Sequence, residues 1–189
     1  AIQILDFNGD GYPDFLLKEL DYTVPTNIKL SLLYGGPLLD NETDLEFTAI
    51  ERGQSHHFAE DILTGDLNGD GLDDILVYGF PGKDASWFEN PKGVDRFWPR
   101  HRVLEVVDNE SPTFVDLTGD GRREIVCSQG GHFGFAEPNK DDPALPWKFR
   151  RISTNAAGGR FTHGMGVGDI NGDGRPDLLE KNGWWEQPE

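Results

Sequence analysis

The chain has 189 residues, 34 acidic and 17 basic side chains with a formal net charge of −17, and a single cysteine. Such acidity excludes the basic footprint of a nucleic-acid binder and opposes adsorption to an anionic membrane surface. No apolar run approaches the roughly 18 residues of a membrane-spanning helix, and one cysteine excludes an intrachain disulfide.

A nine-residue motif recurs four times along the chain. It reads DFNGDGYPD at 6–14, DLNGDGLDD at 66–74, DLTGDGRRE at 116–124 and DINGDGRPD at 169–177. Successive copies are therefore 60, 50 and 53 residues apart. A repeat of this length is typical of the four-stranded blades of a β-propeller with connections of variable length.

Short apolar segments flank each motif and predict strands. They follow it at 15–17, 75–77, 125–127 and 178–179, and they precede it at, for example, 61–64 and 165–167. None has a convincing helical period, and their lengths are those of strands. A second recurring element, WFENP at 87–91 and WWEQP at 184–188 with a weaker copy at 135–138, predicts a third strand that ends in a turn.

The predicted blades begin near residues 1, 60, 110 and 163, which gives three nearly complete blades and part of a fourth over residues 1–189. An open arc of blades has unpaired edges, and propellers avoid such edges by closing. The sequence therefore predicts a partial β-propeller domain, with the remaining blades supplied by a larger parent ring. The alternative is an unusually small closed ring of four blades.

The motif has the oxygen ligands that calcium prefers. Side chains at positions 1, 3, 5 and 9 and the backbone carbonyl at position 7 can wrap one ion, and glycine at position 6 permits the bend. The predicted ligands are Asp6, Asn8, Asp10, Tyr12 and Asp14; Asp66, Asn68, Asp70, Leu72 and Asp74; Asp116, Thr118, Asp120, Arg122 and Glu124; and Asp169, Asn171, Asp173, Arg175 and Asp177. Because Thr118 and Glu124 depart from the other copies, we expect the third site to bind weakly or to be vacant.

Two other interpretations of the motif are less favourable. A single copy is often only an Asx-type turn without metal, but four copies at one period disfavour that reading. An EF-hand or dockerin needs helical flanks, and the EF-hand also needs a glutamate at position 12. That position holds Leu17, Val77 and Cys127 in three of the copies.

These loops, with the Gly-Asp pair that opens some of them, resemble the FG-GAP or VCBS repeat family, whose best-known members are the integrin α-subunit propellers. The Trp-aromatic-Glu-Asn/Gln-Pro element resembles bacterial VCBS proteins more than integrins. The resemblance implies a β-propeller, commonly of seven blades, with Ca²⁺ in the loop between the first two strands of a blade. It also implies an extracellular, periplasmic or cell-surface location.

A second set of residues stands six positions before the first Asp of each motif. Glu60, Glu110 and His163 occupy this register, and all three can ligate metal or transfer a proton. Equivalent positions on the innermost strands of a propeller converge at the mouth of the channel, on the face opposite the loops. The candidates expected near them are His56, His57, Asp61 and His132, with Trp87, Trp184 and Trp185 as aromatic ligand-binding residues.

Two readings of this second set stay open. The residues form either a channel-mouth site for a second metal, acid–base chemistry or a sugar, or a set of solvated strand starts beside tryptophans that pack between blades. The favoured function is a calcium-stabilised module for recognition of a polysaccharide or a surface protein outside the cell. The alternative is a metal-assisted carbohydrate lyase or dehydratase that uses Glu60, Glu110, His163 and His132.

The sequence contains three weaker signals, two glycosylation sequons and one cysteine. Asn41 and Asn109 each begin a glycosylation sequon, although Asn109 precedes a predicted inner strand where access is doubtful. Cys127 lies in an apolar strand and is expected to be a buried small hydrophobe.

Overall fold

The computed structural model describes residues 2–21, 27–37, 42–48, 61–92, 98–155 and 157–188, and the regular secondary structure within them is entirely β. No helix in this part of the chain is long and apolar enough to cross a membrane. The strands are β1 Ile2–Leu5, β2 Asp14–Asp21, β3 Asn27–Leu33, β4 Leu45–Thr48, β5 Asp61–Gly65, β6 Asp74–Tyr78, β7 Lys83–Phe88, β8 Arg100–Val107, β9 Thr113–Val115, β10 Glu124–Gln129, β11 His132–Glu137, β12 Lys148–Arg151, β13 Gly166–Gly168, β14 Asp177–Glu180 and β15 Gly183–Trp185.

The strands form four sheets in which neighbours in the chain are neighbours in space. The sheets are β1–β4, β5–β8 and β9–β12, each of four strands, and β13–β15, of three. Consecutive strands pair antiparallel, as in β1 with β2, β5 with β6, β10 with β11 and β13 with β14, which a meander requires. This arrangement confirms the predicted all-β class of propeller-like blades and the predicted third-strand element, which lies in β7, β11 and β15.

The chain divides into two compact units, Ala1–Phe80 with Ser86–His101, and Pro81–Ala85 with Arg102–Glu189. Each unit has its own apolar core, built from side chains on alternate strand positions and from the second residue of a loop. The first core contains Phe7, Leu16, Leu30, Leu32, Ile62, Ile75, Val77, Phe88 and Trp98. The second contains Leu117, Val126, Phe133, Ala157 and Leu178.

Each nine-residue motif connects the first and second strands of its sheet as a long hairpin. The residue just before position 1 pairs across the sheet with the acid at position 9, as in Leu5 with Asp14 and Val115 with Glu124. The same register joins Gly65 to Asp74 and Gly168 to Asp177. The acid at position 9 is therefore the first residue of the second strand, fixed by the sheet itself.

Candidate metal loops and ligand sites

The first aspartate of each loop organises the turn around its carboxylate. In loop 1 (residues 6–14), Asp6 Oδ1 accepts hydrogen bonds from the backbone N–H groups of Gly9, at 2.8 Å, and Asp10, at 3.1 Å. Its Oδ2 accepts the N–H of Gly11 at 2.8 Å. Loop 2 (66–74), loop 3 (116–124) and loop 4 (169–177) repeat the contacts to the two glycines. Backbone hydrogen bonds thus hold the first carboxylate on the inside of the turn without the help of an ion.

Glycine is required at positions 4 and 6 because both have a left-handed backbone. In loop 1 the φ angles are 75° at Gly9 and 86° at Gly11, and the other three loops reproduce them within a few degrees. Residues with a Cβ atom rarely adopt such angles. The four loops therefore share one backbone conformation, which the sequence repeat had indicated.

The acid at position 9 is buried in every loop and is held by backbone donors. Asp14 is 0% exposed; its Oδ2 accepts the N–H of Phe7 and its Oδ1 the N–H of Gly35, both at 2.7 Å. Asp74 accepts the N–H groups of Leu67, at 2.9 Å, and Asn90, at 2.8 Å. The second donor lies just after the third strand, so this carboxylate joins the loop to the far side of its sheet.

Burial raises the pKa of the position-9 acids of loops 1, 2 and 3, because desolvation outweighs the hydrogen bonds that favour the charged form. The pKa of Asp14 is raised, and that of Asp74 is raised to about 7. The pKa of Glu124 is raised for the same reason. A nearby cation would offset this penalty, which is consistent with a role in metal binding.

In loop 4 the corresponding acid is Asp177, which accepts the N–H groups of Ile170 at 2.9 Å and Gln187 at 3.0 Å. The third repeat has Pro138 where the second and fourth have Asn90 and Gln187. Proline has no N–H group to donate at that position. In repeats two and four, a backbone N–H after the third strand donates to the acid at position 9. The third repeat differs at both residues of this contact, with glutamate in place of aspartate and proline in place of the amide residue.

Loop 3 gathers its carboxylates most closely. Glu124 Oε2 accepts the N–H of Leu117 at 2.8 Å, and its Oε1 lies 3.3 Å from the hydroxyl of Thr118. Carboxylate oxygens of Asp116, Asp120 and Glu124 lie within 4.8 Å of one another. Two ligands of one calcium ion lie no further apart than about twice a bond of roughly 2.4 Å, so these oxygens are close enough to share an ion. The donor set therefore fits a hard divalent cation, and the expected weak binding or vacancy at this loop stays a prediction.

In the other three loops an asparagine occupies position 3 beside the carboxylate at position 5. The amide of Asn8 donates to Asp10 at 3.1 Å, and the distances in loops 2 and 4 are 3.2 and 3.0 Å. Rotation of that amide would present its oxygen as a ligand. Assignment of the four ligand sets to calcium remains a prediction.

Two side-chain amides tie a loop to the sheet that follows it, a contact that sequence reasoning missed. Asn90 Nδ2 donates to the carbonyl oxygens of Phe7, at 2.6 Å, and Asp73, at 3.1 Å. Gln187 Nε2 donates to the carbonyl oxygen of Thr118 at 3.1 Å, 69 residues away in the sequence. We call these contacts the amide staples. The Asn/Gln before the proline of the Trp-aromatic-Glu-Asn/Gln-Pro element was the available signal.

At the other end of the sheets in the second unit, the structure brings two of the predicted channel-mouth residues together. His163 Nδ1 lies 2.6 Å from Glu110 Oε2, and 75% of the His163 side chain is exposed. Their backbones are adjacent, because Asn109 and Thr162 form a parallel bridge. Glu60, His56 and His57 lie outside the described residues, as does the side chain of Asp61.

The remaining candidates have different surroundings. His132 starts β11 at the same end of its sheet as Glu110, and its Nδ1 lies 3.1 Å from the carbonyl oxygen of Ser153. Trp184 is 40% exposed, whereas Trp87 is only 1% exposed and its ring lies 4.7 Å from that of His101. Trp87 is therefore a packing residue in this structure. Trp185 is half-buried, with its ring 5.5 Å from that of Phe133.

The other weak signals have clear structural settings. Asn109 is 2% exposed, and its Oδ1 accepts the N–H of Ser128 at 2.8 Å, so its sequon is closed to a glycosylating enzyme in the folded chain. Asn41 lies outside the described residues. Cys127 is fully buried, as expected, and burial raises the pKa of its thiol.

Two cavities of the second unit lie beside these candidates. One, of about 450 Å³, lies at the mouth end and is lined by His163, Phe161 and Lys181 among others. Phe161 is 44% exposed and has a left-handed φ of 65°. The other cavity, of about 470 Å³, lies between the third and fourth sheets at the loop end and is lined by Trp185 and Gln187.

Comparison with known proteins identifies the repeat and the fold. Residues 66–127 match the family model of the FG-GAP-like repeat, which confirms the family recognised from the loops over that stretch. A solved structure of an Agrocybe aegerita lectin, described by its specific recognition of non-reducing terminal N-acetylglucosamine, is similar at 21% identity and a TM-score of 0.58. The similarity covers 98% of this chain and 48% of the lectin, so the chain spans about half of that protein's length. No curated protein matches the chain.

Proposed function

We propose that this chain, whose residues 66–127 are an FG-GAP-like repeat, is a calcium-stabilised β-propeller module that recognises carbohydrate outside the cell. The observation that carries the calcium part is the convergence of Asp116, Asp120 and Glu124 within 4.8 Å, in a loop conformation that occurs four times. The lectin that shares the fold supports carbohydrate as the ligand.

Calcium would act structurally. Bound at the loops, it would neutralise clustered carboxylates and hold the turn between the first two strands, and the residues at positions 1, 3, 5, 7 and 9 would hold it. Loops of the extracellular class bind calcium with dissociation constants of roughly 10⁻⁴–10⁻³ M. The proposed location rests on the resemblance to FG-GAP or VCBS repeats, and millimolar extracellular calcium would occupy loops of this affinity.

The test has a metal arm and a glycan arm. Isothermal titration of metal-free protein with calcium should show binding, and Asp120→Asn should weaken it at one site. The calcium-loaded protein is then applied to a glycan array that includes N-acetylglucosamine-terminated chains. Absence of calcium binding would refute the metal proposal, and absence of binding to every glycan would refute carbohydrate recognition.

The lyase or dehydratase is the second candidate function, and the 2.6 Å contact between Glu110 and His163 favours it. A carboxylate paired with an imidazole can hold and transfer a proton. Turnover of acidic and neutral polysaccharides, followed by the release of unsaturated or reducing ends, would test it. Loss of turnover in His163→Ala with an unchanged melting temperature would support the enzyme, and its persistence would exclude this pair.

A further inference from the structure

We propose that the loop-end cavity between the third and fourth sheets binds a single pyranose unit, and that loop 3 controls its affinity. This inference rests on the proposed carbohydrate recognition and specifies where it takes place. The cavity measures about 470 Å³, within the range of 300–1,000 Å³ typical of small-molecule sites. All of its walls belong to the second unit.

Gln187 lines the cavity and carries a buried acceptor without a donor. Gln187 Oε1 is buried and has no hydrogen-bond partner, although the backbone N–H of this residue donates to Asp177 and its Nε2 donates to Thr118. An unpaired buried amide oxygen costs free energy that a hydroxyl donor would recover. The corresponding residue of the second blade is Asn90, whose amide oxygen is paired, since its Oδ1 accepts the N–H of Lys92 at 3.2 Å.

The other walls suit the two faces of a sugar ring. Phe135 and Trp185 supply aromatic surface for the C–H face, and the contact with Phe133 at 5.5 Å fixes the Trp185 ring. Arg151 lines the same cavity, is exposed, and has no ion-pair partner among the residues that the structure describes. Its guanidinium can donate to ring or substituent oxygens. Apolar walls with a few convergent polar groups are the usual composition of a ligand site.

The cavity is connected to the carboxylate cluster of loop 3 through one residue. Thr118 accepts the Gln187 amide with its carbonyl oxygen, and its own N–H and hydroxyl contact Glu124 at 3.2 and 3.3 Å. Glu124 belongs to the cluster with Asp116 and Asp120. A cation held by these carboxylates would therefore fix Thr118 and, through it, the orientation of the Gln187 amide. Sugar affinity should then depend on calcium through loop 3.

The pocket is tested by titrating the whole chain with free N-acetylglucosamine, galactose, mannose and glucuronate, with binding read by isothermal calorimetry. We expect Trp185→Ala and Arg151→Ala to weaken the best sugar by about tenfold. The matched control is Lys148→Ala, which removes an exposed cation of β12 outside the cavity and should leave affinity unchanged. Because Trp185→Ala removes a core contact, circular dichroism checks each fold, and exposed Arg151 provides an independent variant.

The coupling is tested by repeating the titrations with calcium and with EDTA. EDTA should weaken sugar binding to the native chain and to Asp10→Asn in loop 1, but not to Asp120→Asn, whose affinity should already be low. Sugar-free melting temperatures of each variant give a second readout of calcium binding. A chain that binds no sugar overturns the proposed function and this inference together. Binding that is insensitive to Trp185→Ala and Arg151→Ala overturns the site alone, and equal EDTA effects in both loop variants overturn the coupling.

Discussion

The amide staple of Asn90 should contribute about three times as much to the free energy of unfolding as the staple of Gln187. Asn90→Ala removes two donations from Nδ2, to Phe7 at 2.6 Å and Asp73 at 3.1 Å, and one acceptance from Lys92 at 3.2 Å. A net hydrogen bond contributes about 1 kcal/mol, and an acceptor left buried without a partner costs about 1–3 kcal/mol. Because Asn90 is 2% exposed and Phe7 0% exposed, water cannot easily replace the lost donor. We expect a loss of about 3 kcal/mol.

Gln187→Ala provides the matched control, since it removes one donation, to Thr118 at 3.1 Å, and should cost about 1 kcal/mol. Both variants keep the backbone N–H that donates to the acid at position 9. Urea denaturation followed by circular dichroism and tryptophan fluorescence measures the difference, with an expected midpoint shift of about 1–2 M for Asn90→Ala. Equal losses of stability in the two variants would refute the idea that the number of side-chain hydrogen bonds removed sets the difference between them.

Three further predictions concern the loops and the core. Chelation by EDTA should lower the melting temperature in a thermal scan, and an unchanged value would contradict calcium binding at all four loops. Gly35→Ala should destabilise the fold by about 1–3 kcal/mol, because its Cβ would lie 2.1 Å from the carbonyl oxygen of Pro13. Gly36→Ala, with nothing within 4 Å, is its control in the same denaturation assay. Cys127 should react with a thiol reagent only in denaturant. If the folded chain reacts as fast as an exposed thiol, the side chain is not buried.

The sequence predicted the blades because each is a local structure repeated four times. The motif fixes a hairpin with two left-handed glycines, and the apolar segments on either side fix its strands, so both could be read without a structure. The register argument also assigned Glu110 and His163 to equivalent positions, and the structure places them 2.6 Å apart, each three residues before its strand.

The contacts that the sequence did not predict join residues far apart in the chain. The Gln187 staple spans 69 residues, and the burial of Trp87 depends on side chains from other strands. The ranking of the loops, with the third as the weakest or vacant site, stays a prediction.

The amide staples have a consequence for how such a chain can grow. Each staple donates from one blade to a carbonyl oxygen of the blade before it, as Asn90 does to Phe7 and Gln187 to Thr118. A blade duplicated alone keeps its donor only if the blade before it presents a loop in the same conformation. Where a staple is present, selection on one Asn or Gln codon is therefore tied to the loop of its neighbour, whereas the third repeat, with Pro138, has no such side chain.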